Sequence, residues 1–224
     1  MTTRLLLYLA HAVDHLALLI FATAVSAIAA RAFTRATEVH DLSPEDLVFD
    51  PLVLPISTGM ESDRRSALEL IEGIKRISAS FPECQSVVGL SNVSFGLNPV
   101  ARTVLNSAFL HELRVAGLTG AIVHASKILP SNKIEPAHWQ AALDLIYDRR
   151  STKNGGTGVP EGKPEDFDPL QAFIDLFKDA QAAKVQKKSL ADLPIEERLR
   201  SHIIDGEKQG LKEAIEAALG KYKP

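Results

Sequence analysis

Three short apolar runs constrain the fold of this chain more than any other feature. They are Leu47-Val48-Phe49, Ser86–Leu90 (SVVGL) and Ala121–Ala125 (AIVHA). Each is bounded by turn residues, so each predicts a fully buried strand. The stretches between them have helical spacing. Over 61–80, Ala67, Leu68, Ile71, Ile74 and Ile77 share one face, while Arg64, Arg65, Glu72 and Arg76 fall largely elsewhere. Phe81-Pro82 ends that helix. Asn98 as cap and Pro99 at the first helical position open another, with Val104, Leu105, Ala108 and Phe109 as its core face. Trp139, Ala142, Leu143 and Ile146 mark one more. Strands alternating with helices predict βαβ units and a parallel sheet. Three strands leave open whether that sheet is open or closed into a barrel. Either way, ligands bind at the C-terminal ends of the strands.

The flanks differ in character. Residues 5–30 are strongly apolar, but the uninterrupted part, Leu16–Ala30, is shorter than the roughly 20 residues of a membrane span. Extending it backwards brings in His11, Asp14 and His15, and an Asp inside a span costs about 2.5–3.5 kcal/mol. Arg4 and Ala27-Ile28-Ala29 also fit a signal peptide, and one or two buried helices fit as well. The reading goes against a true span, with membrane association left open. Residues 1–33 are set apart as an apolar helical leader. Residues 151–168, STKNGGTGVPEGKPEDFD, predict a linker or exposed loop. The GGTG within it is not a phosphate loop, since no strand precedes it and no Gly-Lys-Ser/Thr follows. Residues 169–224 predict three helices, marked by Leu170, Phe173, Ile174 and Phe177, by Ile195, Leu199 and Ile203, and by Leu211, Ile215, Ala218 and Leu219.

Several chemistries are excluded. The net charge is −3 with no Lys/Arg stripe, which argues against a nucleic-acid partner. A single cysteine, Cys84, rules out an internal disulfide and argues against a cysteine zinc site. His111-Glu112 has no second histidine four residues on, so the zinc-protease pattern fails. No metal ligands are assigned. His124, near the third strand tip, reads as a satisfied polar residue, and His202 as a surface residue of the helical tail.

Chemistry concentrates instead at the first two strand tips. A carboxylate such as Asp50 can accept two parallel hydrogen bonds from the flat N–H/NH₂ edge of a guanidine-like heterocycle. Asn92 offers a donor and an acceptor on one planar group, which suits a ring nitrogen whose protonation changes during reaction. Gly89 lets a flat ring approach the backbone. Asn92-Val93-Ser94 also matches a glycosylation sequon, which a buried strand tip would not present.

FDPLVLPISTG, VVGLSNVSFGLNP and AIVHAS, in this order and spacing, resemble the pterin-binding barrel of the cobalamin-dependent methionine synthases. More distantly they resemble the corrinoid methyltetrahydrofolate methyltransferases. The tail LPIEERLRSHIIDGEKQGLKEAIEAAL resembles the opening of the helical cap that precedes the family's cobalamin domain. The resemblance runs from about Ala36 to the end. It implies a partial (β/α)8 TIM barrel, its last three βα units within residues 34–150. A linker (151–168) and an all-helical segment (169–224) would follow. It implies that Asp50 binds the pterin edge, that Gly89, Ser91 and Asn92 line the pterin, and that Asn92 serves catalysis by hydrogen bonding to N5. Arg102 matches a family arginine near the folate. Asn98 stands where many members carry an arginine in a longer loop, so helix capping is its role here.

The implied substrate is 5-methyltetrahydrofolate, whose methyl group passes to cobalamin and then to homocysteine. Cobalamin, and the zinc of the homocysteine domain, belong to parts of the family protein with no counterpart in this sequence. The resemblance thus implies a cytoplasmic methyltransferase fragment, inactive alone, and a companion chain supplying the remaining barrel strands and the cobalamin domain. The alternative is a non-catalytic remnant or a membrane-tethered interaction protein.

Overall fold

In the computed structural model, which describes residues 22–178, 193–205 and 210–222, the three apolar runs form one parallel sheet. Its strands are β1 (Val48–Phe49), β2 (Gln85–Gly89) and β3 (Gly120–Ile122), in that order across the sheet. Helices α2 (Ser66–Ser80) and α3 (Pro99–Val115) supply the two crossovers, and α4 (Pro136–Ile146) follows β3. This is the α/β alternation that the sequence predicts. The chain divides into two compact units, Met1–Asp179 and Ala180–Pro224.

The expected full burial of the strands holds for one face only. Pairing sets Val48 beside Gln85, Val87 beside Gly120 and Gly89 beside Ile122. Side chains alternate along a strand, so these six share a face. Val48 and Ile122 on that face are 55% and 67% exposed. Ser86 and Val88, on the opposite face, are buried, and α2 lies against β2 there. The core comprises Leu70, Ile74, Val88, Leu90, Leu105, Phe109 and Leu113, all fully buried. Parallel sheets are ordinarily covered on both faces, so a face left bare among the described residues is the unusual feature of this unit.

The segment ahead of β1 joins this core. Residues 22–34 form a helix, α1, that runs into a π-helical turn, Arg35–Val39. Ala22 and Ala29 are buried. Val25 approaches Gly73 of α2, Arg76 donates to the Thr23 hydroxyl at 3.0 Å, and the Phe33 ring stacks on Phe81 at 4.9 Å. The end of the expected leader is therefore packed structure, while its residues 1–21 lie outside the described residues. The buried row of α2 is Ala67, Leu70, Gly73, Ile74 and Ile77, with Leu68 and Ile71 only half-buried. Among the described residues, no helix is long and apolar enough to cross a membrane.

Helix α3 begins as its cap predicts. The Asn98 side-chain oxygen accepts from the Val100 and Ala101 amides at 3.1 and 2.9 Å, and its Nδ2 donates to the Phe177 carbonyl at 3.1 Å. Val104, Leu105, Ala108 and Phe109 are buried as expected. Losing a cap costs about 1 kcal/mol and losing a further hydrogen bond about as much. Asn98→Ala should therefore lower unfolding stability by about 1–2 kcal/mol in urea titration. Asn98→Asp, which keeps the cap but not the donor, should recover part of that loss. Equal midpoints for wild type and Asn98→Ala would show that the cap carries no stability.

Residues 151–168 are not a free linker. Ser151 is buried, and Gly156, Thr157 and Gly158 donate their amides back to Ser151, Asp148 and Arg150. A Cβ on Gly156 would stand 2.5 Å from the Arg150 carbonyl oxygen, so that position needs glycine. The GGTG stretch is thus explained by close backbone packing. Helix α5 (Pro169–Leu176) belongs to the first unit. Its cap, Asp168, accepts from the Leu170 and Gln171 amides and is held by Arg64 in a two-pronged ion pair with both N···O distances 2.9 Å. Burial pushes the Asp168 carboxyl up, but Arg64 and the two amides outweigh it and hold it below its ordinary value.

Among its described residues, the second unit has two helices, α6 (Ile195–Asp205) and α7 (Leu211–Lys221). Arg198 donates to the Gly210 carbonyl at 3.1 Å, and Glu196 bonds both Lys221 and Tyr222. His202, expected at the surface, is buried. Ala214 is buried on α7, whereas Ile215 and Leu219, expected in its core face, are 45% and 61% exposed.

Candidate functional site

The parallel sheet brings Asp50, which follows β1, and Ser91-Asn92, which follow β2, to the same end. They are not level. Phe49 pairs with Ser86, and β2 runs three residues further to Gly89. At about 3.3 Å per residue, its tip stands about 10 Å beyond that of β1. The long loop after β1 spans the difference and is stitched to the turn after β2. Asn92 Nδ2 donates to the Val53 carbonyl at 2.5 Å, and the Ile56 amide donates to the Val93 carbonyl at 3.1 Å. The Ser57 hydroxyl bonds the Phe95 carbonyl at 2.5 Å. Val53, Ile56 and Val93 are buried beneath these bonds.

Asn92 is exposed, not buried at the strand tip as the sequon argument assumed. One amide hydrogen is committed to Val53, which fixes the plane of the group. The second hydrogen and Oδ1 remain for a ligand. Gly89 lies on the bare sheet face. A Cβ there would meet nothing within 4 Å among the described residues, and its φ of −76° is open to any residue. Nothing in the fold requires glycine at this position.

Arg102 reaches back from the first turns of α3. Its Nε donates to the Ser94 hydroxyl at 3.2 Å and its Nη2 to the Ser91 carbonyl at 3.1 Å. It thereby braces the turn Leu90–Ser94 that carries Asn92. Ser91 and Arg102 also line a cavity of about 260 Å³ between α3 and the loop after β3. Asp50 lines a different cavity, of about 300 Å³, walled mainly by apolar residues of α1, Pro51 and Ile77. Its carboxylate is exposed and makes no hydrogen bond or ion pair among the described residues. So the structure brings Ser91, Asn92 and Arg102 together, with Gly89 just before them, and sets Asp50 apart at the same end of the sheet.

Sequence reasoning passed over Asn106 and Lys127 and set His124 aside. All three line the cavity with Arg102. Asn106 lies seven residues after Pro99, two helical turns along the same face, and that spacing was the available signal. Among the described residues, no cluster of three or more His, Cys, Asp or Glu side chains is placed to hold a metal ion.

Comparison with known proteins bears directly on this end of the sheet. Residues 22–124 match the pterin binding enzyme family. The match opens at α1, ahead of the Ala36 at which the resemblance was drawn. Methionine synthase of Mycobacterium tuberculosis is 43% identical over 200 residues, which cover 88% of this chain and 16% of that protein. Methionine synthase of Mycobacterium leprae is 41% identical over 200 residues, with the same coverage. The chain thus spans about a sixth of the length of these relatives.

Proposed function

Since the chain is a relative of one segment of the methionine synthases, we propose that it forms one wall of a 5-methyltetrahydrofolate site for methyl transfer to cobalamin. The observation that carries this reading is the one-sided parallel sheet. Helices on one face and a bare face opposite are what a sector of a (β/α)8 barrel requires, because the bare face is the barrel interior. A doubly wound sheet would carry helices on both. The bare face ends at Gly89, and Asn92 follows one turn later. A flat pterin lying against Gly89 accounts for a glycine that the fold itself does not need. Asn92 then meets N5 with its free amide hydrogen, and Asp50 takes the N–H/NH₂ edge of the ring. Arg102 holds the turn that presents Asn92. Cobalamin and zinc would be served by other parts of such an enzyme, and a polypeptide carrying further strands would cover the bare face.

The test is folate binding and methyl transfer by the 224-residue chain, alone and with a polypeptide carrying the remaining barrel strands. One wall does not hold two reactants in line, and that alignment supplies much of the rate. The chain alone should therefore transfer no methyl group from 5-methyltetrahydrofolate to cob(I)alamin at the rate of a complete synthase. Gly89→Leu should abolish folate binding in the completed barrel without lowering the stability of the chain. Full turnover by the chain alone, or folate binding that tolerates Gly89→Leu, would sink the reading.

A further inference from the structure

The two loops that flank α3 at the C-terminal end of the sheet are fastened very unequally. The turn after β2 is tied down several times, by Arg102 to Ser94 and Ser91, by Asn92 to Val53 and by Val93 to Ile56. Residues 125–133, after β3, are tied once. Their backbone bonds are local, from Lys127 to His124, Ile128 to Ala125 and Lys133 to Pro130. Among the described residues, the one hydrogen bond joining them to another element runs from the Leu129 amide to the Ser107 hydroxyl of α3, at 2.9 Å. Ser107 is buried, and its own proton goes to the Thr103 carbonyl at 2.6 Å, so an oxygen lone pair is fixed toward Leu129. No side chain of 125–133 is buried, whereas Ile134 beyond them is. Segments with few buried contacts and a single tie are those that open locally.

We infer that residues 125–133 are a strap that swings between His124 and Ile134 to open and close the cavity of about 260 Å³ on α3, latched by the Ser107 hydroxyl and biased toward opening by Asn106. Lys127 and Ile128 of the strap form part of the cavity wall. Asn106 lines the same cavity, is buried, and its Oδ1 has no hydrogen-bond partner among the described residues. With the strap closed, one latch bond is made and one acceptor is stranded. With it open, water reaches both groups. A stranded buried acceptor costs at least as much as one hydrogen bond contributes, so the two positions lie close in free energy. The turn after β2 has no such balance, because its several bonds would all have to break together. The latch therefore lets the wall formed by the strap move while the turn that carries Asn92 stays in place, and it does so whichever molecule enters the cavity.

Residue-resolved amide hydrogen exchange on the full chain reads the latch. In the wild type, the Leu129 amide should exchange faster than those of Leu105 and Phe109 in the core of α3. Low urea should leave its rate unchanged, because opening the strap exposes little surface. Ser107→Ala removes the latch and should speed Leu129 exchange roughly tenfold, the worth of one hydrogen bond, while the urea midpoint holds. Asn106→Leu removes the acceptor that closure strands and should slow Leu129 exchange by a similar factor. These opposite signs separate a balanced strap from a general loosening of α3, which would speed exchange in both variants. Ser107→Ala carries the test if Asn106→Leu fails to fold. Leu129 exchange as slow as that of the α3 core in the wild type, or unchanged in Ser107→Ala, overturns the strap. Faster Leu129 exchange in a stably folded Asn106→Leu overturns the role given to Asn106.

Discussion

Arg150→Ala is expected to destabilise the first unit by about 3–5 kcal/mol, the range for removing one partner of a buried ion pair. Asp148 and Arg150 are 2% and 7% exposed. The guanidinium meets both Asp148 oxygens, at 2.6 and 2.9 Å, and both Glu61 oxygens, at 2.8 and 3.1 Å. The Asp148 carboxylate, and Glu61 beyond it, hold the guanidinium charged well above its ordinary range. Removing it strands the Asp148 carboxylate in the interior, where desolvation is no longer offset. Removing both charges together avoids that penalty. Asp148→Asn/Arg150→Met should therefore be more stable than Arg150→Ala in urea titration. A loss below about 1 kcal/mol for Arg150→Ala, or a double variant no better than the single, would contradict this account.

That pair also bears on the site. Glu61 ends the loop that leaves β1, and the same loop supplies Val53 and Ile56 to the turn carrying Asn92. Arg150 thus pins the far end of the segment on which the Asn92 amide is oriented. The hydrogen bond from Arg150 holds the Glu61 carboxyl below its ordinary value. A carboxyl with a lowered folded value stabilises above its unfolded value and ceases to do so as the pH falls through the folded one. The clip should hold at neutral pH and release in acid. Glu61 is largely exposed, so its contribution to stability is small.

What was legible in the sequence is what local pattern encodes. The strand runs, the Asn98-Pro99 cap and the core row of α3 all depend on residues close in sequence. The Arg150–Glu61 and Arg64–Asp168 pairs join residues far apart in the chain, and no period announces them. For that reason 151–168 read as a linker or exposed loop; much of it is exposed, but the Arg64–Asp168 fork and the tight approach of Gly156 to Arg150 fasten it down. In α2, Ala67, Ile74 and Ile77 are buried as read, but Leu70 and Gly73 are buried where Leu68 and Ile71 were expected, with Gly73 facing Val25 of α1. Ile215 and Leu219 have core spacing, yet they are 45% and 61% exposed, so spacing alone does not say which face of α7 is covered. Asp50, Gly89 and Asn92 could be placed at strand ends because each stands next to a turn. The Asn92–Val53 bond was not legible, since it arises only when two loops meet.

In a completed barrel, Asn92→Ala should slow single-turnover methyl transfer more than it weakens folate binding, and Asp50→Ala should do the reverse. The pterin edge opposite Asp50 changes little as the methyl group leaves, so that contact helps ground and transition states alike. Its loss appears in affinity. Losing a hydrogen bond to a charged group costs about 1.5–3 kcal/mol, roughly ten- to a hundredfold. N5 gains electron density as its bond to the methyl carbon breaks. A hydrogen bond from the free N–H of Asn92 therefore strengthens along the reaction, and its loss appears in the rate. The bond to Val53 makes a third variant informative. Asn92→Asp puts a carboxylate oxygen against the Val53 carbonyl, so the side chain must turn away from both Val53 and N5. Asn92→Asp should thus fall at least as far in rate as Asn92→Ala, with a loosened β1 loop seen as faster amide exchange at Ile56. If Asn92→Ala and Asp50→Ala weaken folate equally and leave the rate per bound folate intact, Asn92 is a strut between two loops and takes no part in the chemistry.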